Sequence, residues 1–217
     1  VEPDKAAVRD TVVRRLKTDI VNPDGTPRFR RRRTSPIPVE YPESEREIHK
    51  LLTEFTALRR ARTRKLRGRR AVDLVTILLK KRLFSSPAAF RRTVGVYLDT
   101  LERRGGTVTP SDDVPEWMDD FLDETATYDD EDLLDAEDSA IDAAVPLQAE
   151  APADDQSREV ALLKQMEAWA ATHDAQPDAK ARELIKYLTA VCKPDGHWTN
   201  ERVVVFTEYR DTQRWLA

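Results

Sequence analysis

Two dense runs of basic residues have the side chains best suited to bind an anion. The first is RFRRRR at 28–33, and the second is RRARTRKLRGRR at 59–70, in which eight of twelve residues are basic. Such runs bind nucleic acid by neutralising phosphates, with an affinity that falls steeply as salt rises. One isolated basic run is usually a solvated helix face. Two such runs within 70 residues favour nucleic-acid contact as strongly as they favour a solvated face. Because Phe29 is their one aromatic residue, we expect them to follow the phosphate backbone rather than stack bases.

The charges of the chain are segregated along its length. Residues 1–104 contain 27 Lys and Arg against 13 Asp and Glu, whereas 105–157 contain 18 Asp and Glu and no basic residue. This asymmetry predicts a nucleic-acid surface together with an acidic segment that repels or masks it. A single cysteine, Cys192, fits a reducing compartment, and neither a leader-like start nor a bilayer-length apolar run is present. We therefore expect a cytoplasmic protein with no membrane partner.

Motifs for catalysis are missing from these 217 residues. Neither G-x-x-x-x-G-K-[ST] nor G-x-G-x-x-G occurs, so no phosphate-cradling loop is predicted. The acidic tetrapeptide at 123–126 lacks the long apolar strand that would present a Mg²⁺-binding carboxylate. The three histidines lie far apart without other ligands at metal-binding spacing. We expect no metal, no cofactor and no ATP hydrolysis by this chain alone.

Apolar residues at helical spacing predict a mainly α fold. Five antiparallel helices are predicted at 43–68, 70–84, 87–104, 157–173 and 178–192. Ser86 is a natural N-cap and Pro87 a natural first residue for the third of them. A further helix is expected over 4–20, followed by a turn in VNPDGTPRF.

The acidic block at 107–156 is predicted to be a solvated and partly disordered linker. It contains one short amphipathic piece, PEWMDDFLDETA, whose Trp117, Phe121 and Leu122 could dock onto the helical body. After the last helices, KPDGHWTNER is predicted to be a loop. That loop leads into VVVFT at 203–207, a β-branched and aromatic run that predicts one terminal β-strand with a polar tip.

The order of these motifs resembles Swi/Snf-related, RapA/HepA-type superfamily-two helicase-like ATPases. VVRRLKTDIVNPDGTPRFRRR is similar to the end of their first motor lobe, and RTSPIPVEYPESEREIHKLLTEF to their strand followed by a Glu-rich helix. LVTILLKKRLFSSPAAFRRTV is similar to their Lys-Arg-Leu helical stretch, and ERVVVFTEYRDTQRWLA to motif IV, the opening strand of the second lobe. The resemblance implies that 203–207 begins an α/β, RecA-like lobe. Helices would then cover both faces of that strand.

The same resemblance implies a segment of a longer ATP-driven DNA translocase whose ATP and Mg²⁺ sites lie elsewhere. Its parts would be the end of lobe one with a linker (1–41), a basic helical insert (42–106), the acidic linker (107–156), a helical hairpin (157–194) and the start of lobe two (195–217). The expected partners are duplex DNA, the remaining motor lobes and, through the open strand, a second copy. The candidate nucleic-acid-binding residues are Arg14, Arg15, Lys17, Arg31, Arg32, Arg64, Lys65, Arg67, Lys80, Lys81, Arg82, Thr207, Arg210 and Thr212.

A different class of function fits the same residues. A helical protein-interaction module could use the basic face to bind an acidic partner, including the chain's own 112–155 segment. The two hypotheses differ in whether the basic face binds a DNA duplex once the acidic block is removed.

Overall fold

The computed structural model describes residues 16–62, 66–103, 136–141 and 153–217. The chain divides into two compact units, Val1–Pro38 and Val39–Ala217. Seven α-helices lie in the described residues: α1 Glu43–Arg62, α2 Leu66–Ser85, α3 Pro87–Arg103, α4 136–141, α5 Ala153–His173, α6 Ala179–Cys192 and α7 Arg210–Leu216. The prediction of a mainly helical chain is confirmed. None of these helices combines the length and the apolarity needed to cross a membrane.

In the first unit, the described residues contain the predicted turn. The Asn22 carbonyl accepts a hydrogen bond from the Gly25 N–H at 2.9 Å, and Asp24 Oδ1 accepts one from the Thr26 N–H at 2.9 Å. Gly25 has a φ of +82°, which a residue without a Cβ adopts at little cost. The predicted helix at 4–20 lies largely outside the described residues, and its end forms a 3-10 turn at Lys17–Asp19.

In the second unit, α1 and α2 pack antiparallel. Thr56 and Thr76 lie 3.4 Å apart through their hydroxyls, and Arg60 Nη2 pairs with Asp73 Oδ1 at 2.6 Å. The residue later in α1 thus contacts the residue earlier in α2, which means that the two helices run in opposite directions. This antiparallel relation was predicted from the sequence.

Helix α5 runs antiparallel to both α1 and α3. Tyr97 donates to Glu159 at 2.8 Å near one end of the α3–α5 contact, and Arg91 pairs with Asp174 at 2.5 Å near the other. Trp169 donates its indole N–H to the Ser44 carbonyl at the start of α1. The core between these helices consists mainly of Ile48, Leu52, Phe55, Val75, Leu78, Leu79, Phe90, Val94, Tyr97, Ile141, Leu163 and Met166.

The start of α3 has the predicted cap, and α6 begins with a cap that the sequence analysis did not predict. Ser86 Oγ accepts the Ala89 N–H at 3.1 Å at the start of α3, and Asp178 Oδ1 accepts the Ala181 N–H at 2.7 Å at the start of α6. Between α1 and α2 the predicted boundary is wrong. Helix α2 begins at Leu66 and includes Gly68, whereas the prediction placed residues up to 68 in the first helix and began the second at 70. A helical glycine costs only about 1 kcal/mol relative to alanine, so Gly68 does not by itself prevent a helix.

The acidic block contains a helix that the sequence did not predict. Residues 136–141 form α4, in which Ala140 and Ile141 are 1% and 0% exposed and belong to the core. The expectation of a solvated linker is therefore wrong for these six residues. Their two apolar side chains anchor α4, and basic residues of the body neutralise its acids. The amphipathic piece with Trp117, Phe121 and Leu122 lies outside the described residues.

Candidate nucleic-acid interface

A cleft with lysines at its edge lies between α2, α6 and the C-terminal segment. Its volume is about 640 Å³, and its lining includes Lys80, Lys81, Lys180, Thr207 and Thr212. We call it the lysine cleft. Four of these five residues are sequence-predicted nucleic-acid contacts from two parts of the chain more than 120 residues apart. The fold brings these predicted residues to one site.

The lysines of the cleft differ in their surroundings. Lys80 and Lys81 are exposed on α2, and Lys81 Nζ pairs with Glu208 Oε1 at 2.8 Å. Lys180 Nζ donates to the Ser85 carbonyl at 3.3 Å. Burial lowers the pKa of Lys180, and the Asp178 carboxylate opposes that shift. Of the three lysines of the cleft, Lys80 and Lys81 are therefore more accessible to a ligand in solvent than Lys180.

The walls of the lysine cleft are apolar. Phe84, Phe206, Leu184 and Trp215 contribute to its lining, and Phe84 and Phe206 are 51% and 91% exposed. A second cleft of about 670 Å³ shares Leu184 and Trp215 and continues along α6. A polyanion with a flat apolar part would meet both cations and aromatic rings here.

Thr212 is buried at the inner end of the lysine cleft. Its Oγ1 lies 2.6 Å from Ser85 Oγ and 2.9 Å from Ser86 Oγ, and the residue is 4% exposed. Thr207 is half-buried, and its Oγ1 accepts a hydrogen bond from the Tyr209 N–H at 3.4 Å. Arg210 opens α7 and is half-buried. Thr212 therefore joins α7 to the α2–α3 corner, whereas Thr207 stays closer to the surface.

Arg82 is enclosed by the protein and does not face solvent. It is 1% exposed, its Nη2 pairs with Glu137 Oε2, and its guanidinium carbon lies 3.9 Å from the centre of the Tyr209 ring. Asp211 Oδ2 lies 3.6 Å from its Nη1. In this conformation Arg82 cannot reach a phosphate, because α4 and the segment before α7 cover it. We call Arg82, Glu137, Tyr209 and Asp211 the Arg82 cluster.

Burial in the Arg82 cluster changes the pKa values of Glu137 and Tyr209. Burial raises the pKa of Glu137, and the Arg82 guanidinium opposes the shift. Burial also raises the pKa of Tyr209 well above its ordinary range, with Glu137 adding to the effect. The Tyr209 hydroxyl therefore stays protonated and donates to Glu137 Oε1 at 3.4 Å.

A second buried arginine comes from the predicted basic run. Arg59 is 2% exposed, donates to the Tyr97 hydroxyl and lies over the rings of Phe55 and Tyr97. Glu159 Oε1 lies 3.8 Å from its Nε. The first residue of the run at 59–70 thus stabilises the contact of α1, α3 and α5 and is not part of a solvated basic face.

The remaining predicted residues fall into two groups. Lys17, Arg31 and Arg32 are exposed in the first unit, where Lys17 Nζ lies 5.6 Å from the centre of the Phe29 ring. The others lie outside the part of the chain that the structure describes, or have side chains outside it: Arg14, Arg15, Arg64, Lys65 and Arg67. Their predicted role stays a prediction.

No strand is assigned at 203–207, where the sequence predicted one. A strand is defined by hydrogen bonds to a neighbour, and the described chain offers no second strand beside this segment. Val204 and Phe206 are 73% and 91% exposed, while Val205 lines both clefts. The segment therefore has one side against the body and an apolar side in solvent.

Sequence reasoning missed two residues that matter at these sites. Lys180 was seen only as part of the first turn of a helix, and Glu137 only as part of an acidic linker. An Ala-Ile pair three residues after Glu137 was the available sign that 136–141 could dock. Within the described ranges, no group of three or more His, Cys, Asp or Glu is arranged to hold a metal.

Comparisons of the chain with protein-family models, curated proteins and solved structures found no match.

Proposed function

We propose that this chain is a nucleic-acid-backbone-binding helical region of a Swi/Snf-related, ATP-driven DNA translocase. The observation that carries the proposal is the lysine cleft. Lys80 and Lys81 on α2 meet Thr207 and Thr212 of the motif IV-like segment there. A stretch of helical insert and the segment that would begin a second motor lobe thus share one surface.

The cleft has the chemistry that a phosphodiester backbone requires. Lysine ammonium groups bind phosphates as mobile point charges and release counterions on binding. The exposed aromatic rings at its rim add apolar surface for sugar or base. The role of the cleft is then to hold the backbone of a duplex, and DNA is the proposed partner.

The exposed segment at 203–207 supports the α/β part of the proposal. A run with apolar side chains on both sides is typical of a strand in a parallel sheet covered by helices. The outward Val204 and Phe206 would be buried by further strands of a RecA-like lobe and its covering helices. ATP and Mg²⁺ would bind to other parts of such a motor, and this chain would not hydrolyse ATP alone.

The test measures duplex DNA binding by fluorescence anisotropy over a series of salt concentrations. We expect Lys80→Ala/Lys81→Ala to weaken binding and to reduce the slope of log affinity against log salt by about 0.9 for each phosphate that is no longer neutralised. The control is Lys164→Ala/Lys186→Ala, which removes the same charge from exposed residues outside the cleft. Equal losses of affinity in both variants, or no binding by the unmodified chain at low salt, would refute the proposal.

A second candidate function is favoured by α4. Glu137 and Asp138 of the acidic block pair with Arg82 and Arg92 of the body. This is the contact expected of a helical interaction module whose basic face receives an acidic partner. A peptide with the sequence of 136–141 flanked by its neighbours would then compete with α4, whereas DNA would not.

A further inference from the structure

Two arginines join α4 to the start of α7. Arg82 Nη2 pairs with Glu137 of α4, and its Nη1 lies 3.6 Å from Asp211 Oδ2. Arg92 repeats the arrangement: its Nη2 pairs with Asp138 Oδ2 at 2.9 Å, and its Nη1 lies 3.7 Å from Asp211 Oδ1. Each arginine thus lies between one carboxylate of α4 and the same aspartate of α7.

A direct bond closes this arrangement. The Tyr209 hydroxyl donates to Glu137 at 3.4 Å while its ring lies against the Arg82 guanidinium. Tyr209 is 2% exposed and immediately precedes α7. The position of Tyr209, and with it the start of α7, therefore depends on side chains of α4.

The contacts that the arginines make with α4 and with α7 depend on each other electrostatically. Without the Glu137 carboxylate, the more distant Asp211 would be the opposing charge left to Arg82 among the described residues, and Arg82 would be a buried cation with too little compensation. Burying an arginine without compensation is costly, so the enclosed arrangement would open toward solvent. Within the described residues, Arg82 Nε and Nη1 already lack a hydrogen-bond acceptor. At these two atoms the charge of nearby carboxylates, rather than a hydrogen bond, offsets the burial of the guanidinium.

We infer that α4 is an intramolecular acidic cap that withholds Arg82 and Arg92 from external polyanions and fixes the segment from Tyr209 to Leu216. A polyanion that takes up these arginines must displace α4, and that displacement loosens α7 and the wall of the lysine cleft that α7 forms. The nucleic-acid part of this inference rests on the proposed function. The link between α4 and α7 does not.

The first test follows the link itself by amide hydrogen exchange. The variant Glu137→Gln/Asp138→Asn keeps the shapes of both side chains and removes their charges. We expect exchange at 213–217 to accelerate roughly tenfold, the equivalent of one charge-assisted hydrogen bond, with α6 unchanged. The matched control is Glu47→Gln/Asp99→Asn, which removes two exposed acidic charges from α1 and α3. Unchanged exchange at 213–217, or the same acceleration in the control, would overturn the inference.

The second test follows the cap by DNA binding at low salt. We expect the α4 variant to bind a duplex roughly tenfold more tightly than the unmodified chain, beyond any gain in the control. The variant Asp138→Asn alone changes a partly exposed acid and leaves the buried Arg82–Glu137 pair intact. We expect it to bind the duplex more tightly as well. If the unmodified chain binds DNA and neither α4 variant binds more tightly, the cap is refuted. If no protein binds DNA, the proposed function fails, and exchange at 213–217 decides the inference.

Discussion

The pair formed by Arg82 and Glu137 allows a quantitative test of the buried cluster. Their side chains are 1% and 4% exposed, so both charges are almost wholly removed from water. Removing one partner of such a pair costs about 3–5 kcal/mol, because the other charge stays buried without compensation. We expect Arg82→Met to lower the free energy of unfolding by that much at neutral pH. The melting temperature should fall by roughly 10 °C for a chain of this size.

A double-mutant cycle separates the pair from other effects of the substitutions. Glu137→Met alone should also be strongly destabilising, whereas Arg82→Met/Glu137→Met should be destabilised by about 2 kcal/mol less than the two single variants together. The control is Arg60→Met, which breaks a pair with Asp73 whose side chains are 60% and 47% exposed and should cost under about 1 kcal/mol. Urea denaturation followed by circular dichroism gives each value. Additive destabilisation, or an effect of Arg82→Met no larger than that of the control, would refute the reasoning.

Three further predictions concern buried polar groups. Burial raises the pKa of Tyr209 above its ordinary 10.0, so the folded chain keeps this proton to a higher pH than the unfolded chain does. Its contribution to the free energy of unfolding should therefore decline as pH rises from 10.0 through the folded pKa. Tyr209→Phe should lack that decline, and parallel pH curves for the two proteins would contradict the claim. Tyr97→Phe removes the hydroxyl between Arg59 and Glu159 and should cost about 1–3 kcal/mol in urea denaturation; a cost near zero would mean that the hydroxyl is dispensable. Asp178→Ala should cost about 1 kcal/mol because it removes the cap of α6, with Asp178→Asn retaining most of the stability; equal costs would rule out capping.

The local elements of the fold could be predicted from the sequence. Helical spacing of apolar residues located α1, α3, α5 and α6 in outline, and short-range side-chain chemistry predicted the start of α3 at Ser86 and Pro87. Ser86 and Asp178 accept backbone N–H groups three residues ahead, so their role depends on neighbours that the sequence itself specifies. The division between α1 and α2 was placed wrongly: Gly68 lies inside α2, and one glycine costs a helix only about 1 kcal/mol relative to alanine.

The candidate site could be predicted only in part. The residue types that could bind phosphate were evident, and Lys80, Lys81, Thr207 and Thr212 do meet at the lysine cleft. Which cations face solvent was not evident. Arg82 follows Lys80 and Lys81 directly in sequence, yet the helical turn directs it to the interior, where it pairs with Glu137, 55 residues away.

The sequence by itself determined where most of the described helices form, where α3 begins and how charge is distributed along the chain, because each of these depends on neighbours a few residues apart. Tertiary structure alone decided that Arg59 and Arg82 are internal, that 136–141 of the acidic block are helical and packed against the core, and that Asp211 lies between two arginines. The physical reason is that a buried charge requires an opposite charge nearby. The opposite charges here lie far away in sequence, so only the packing of the helices brings them into contact.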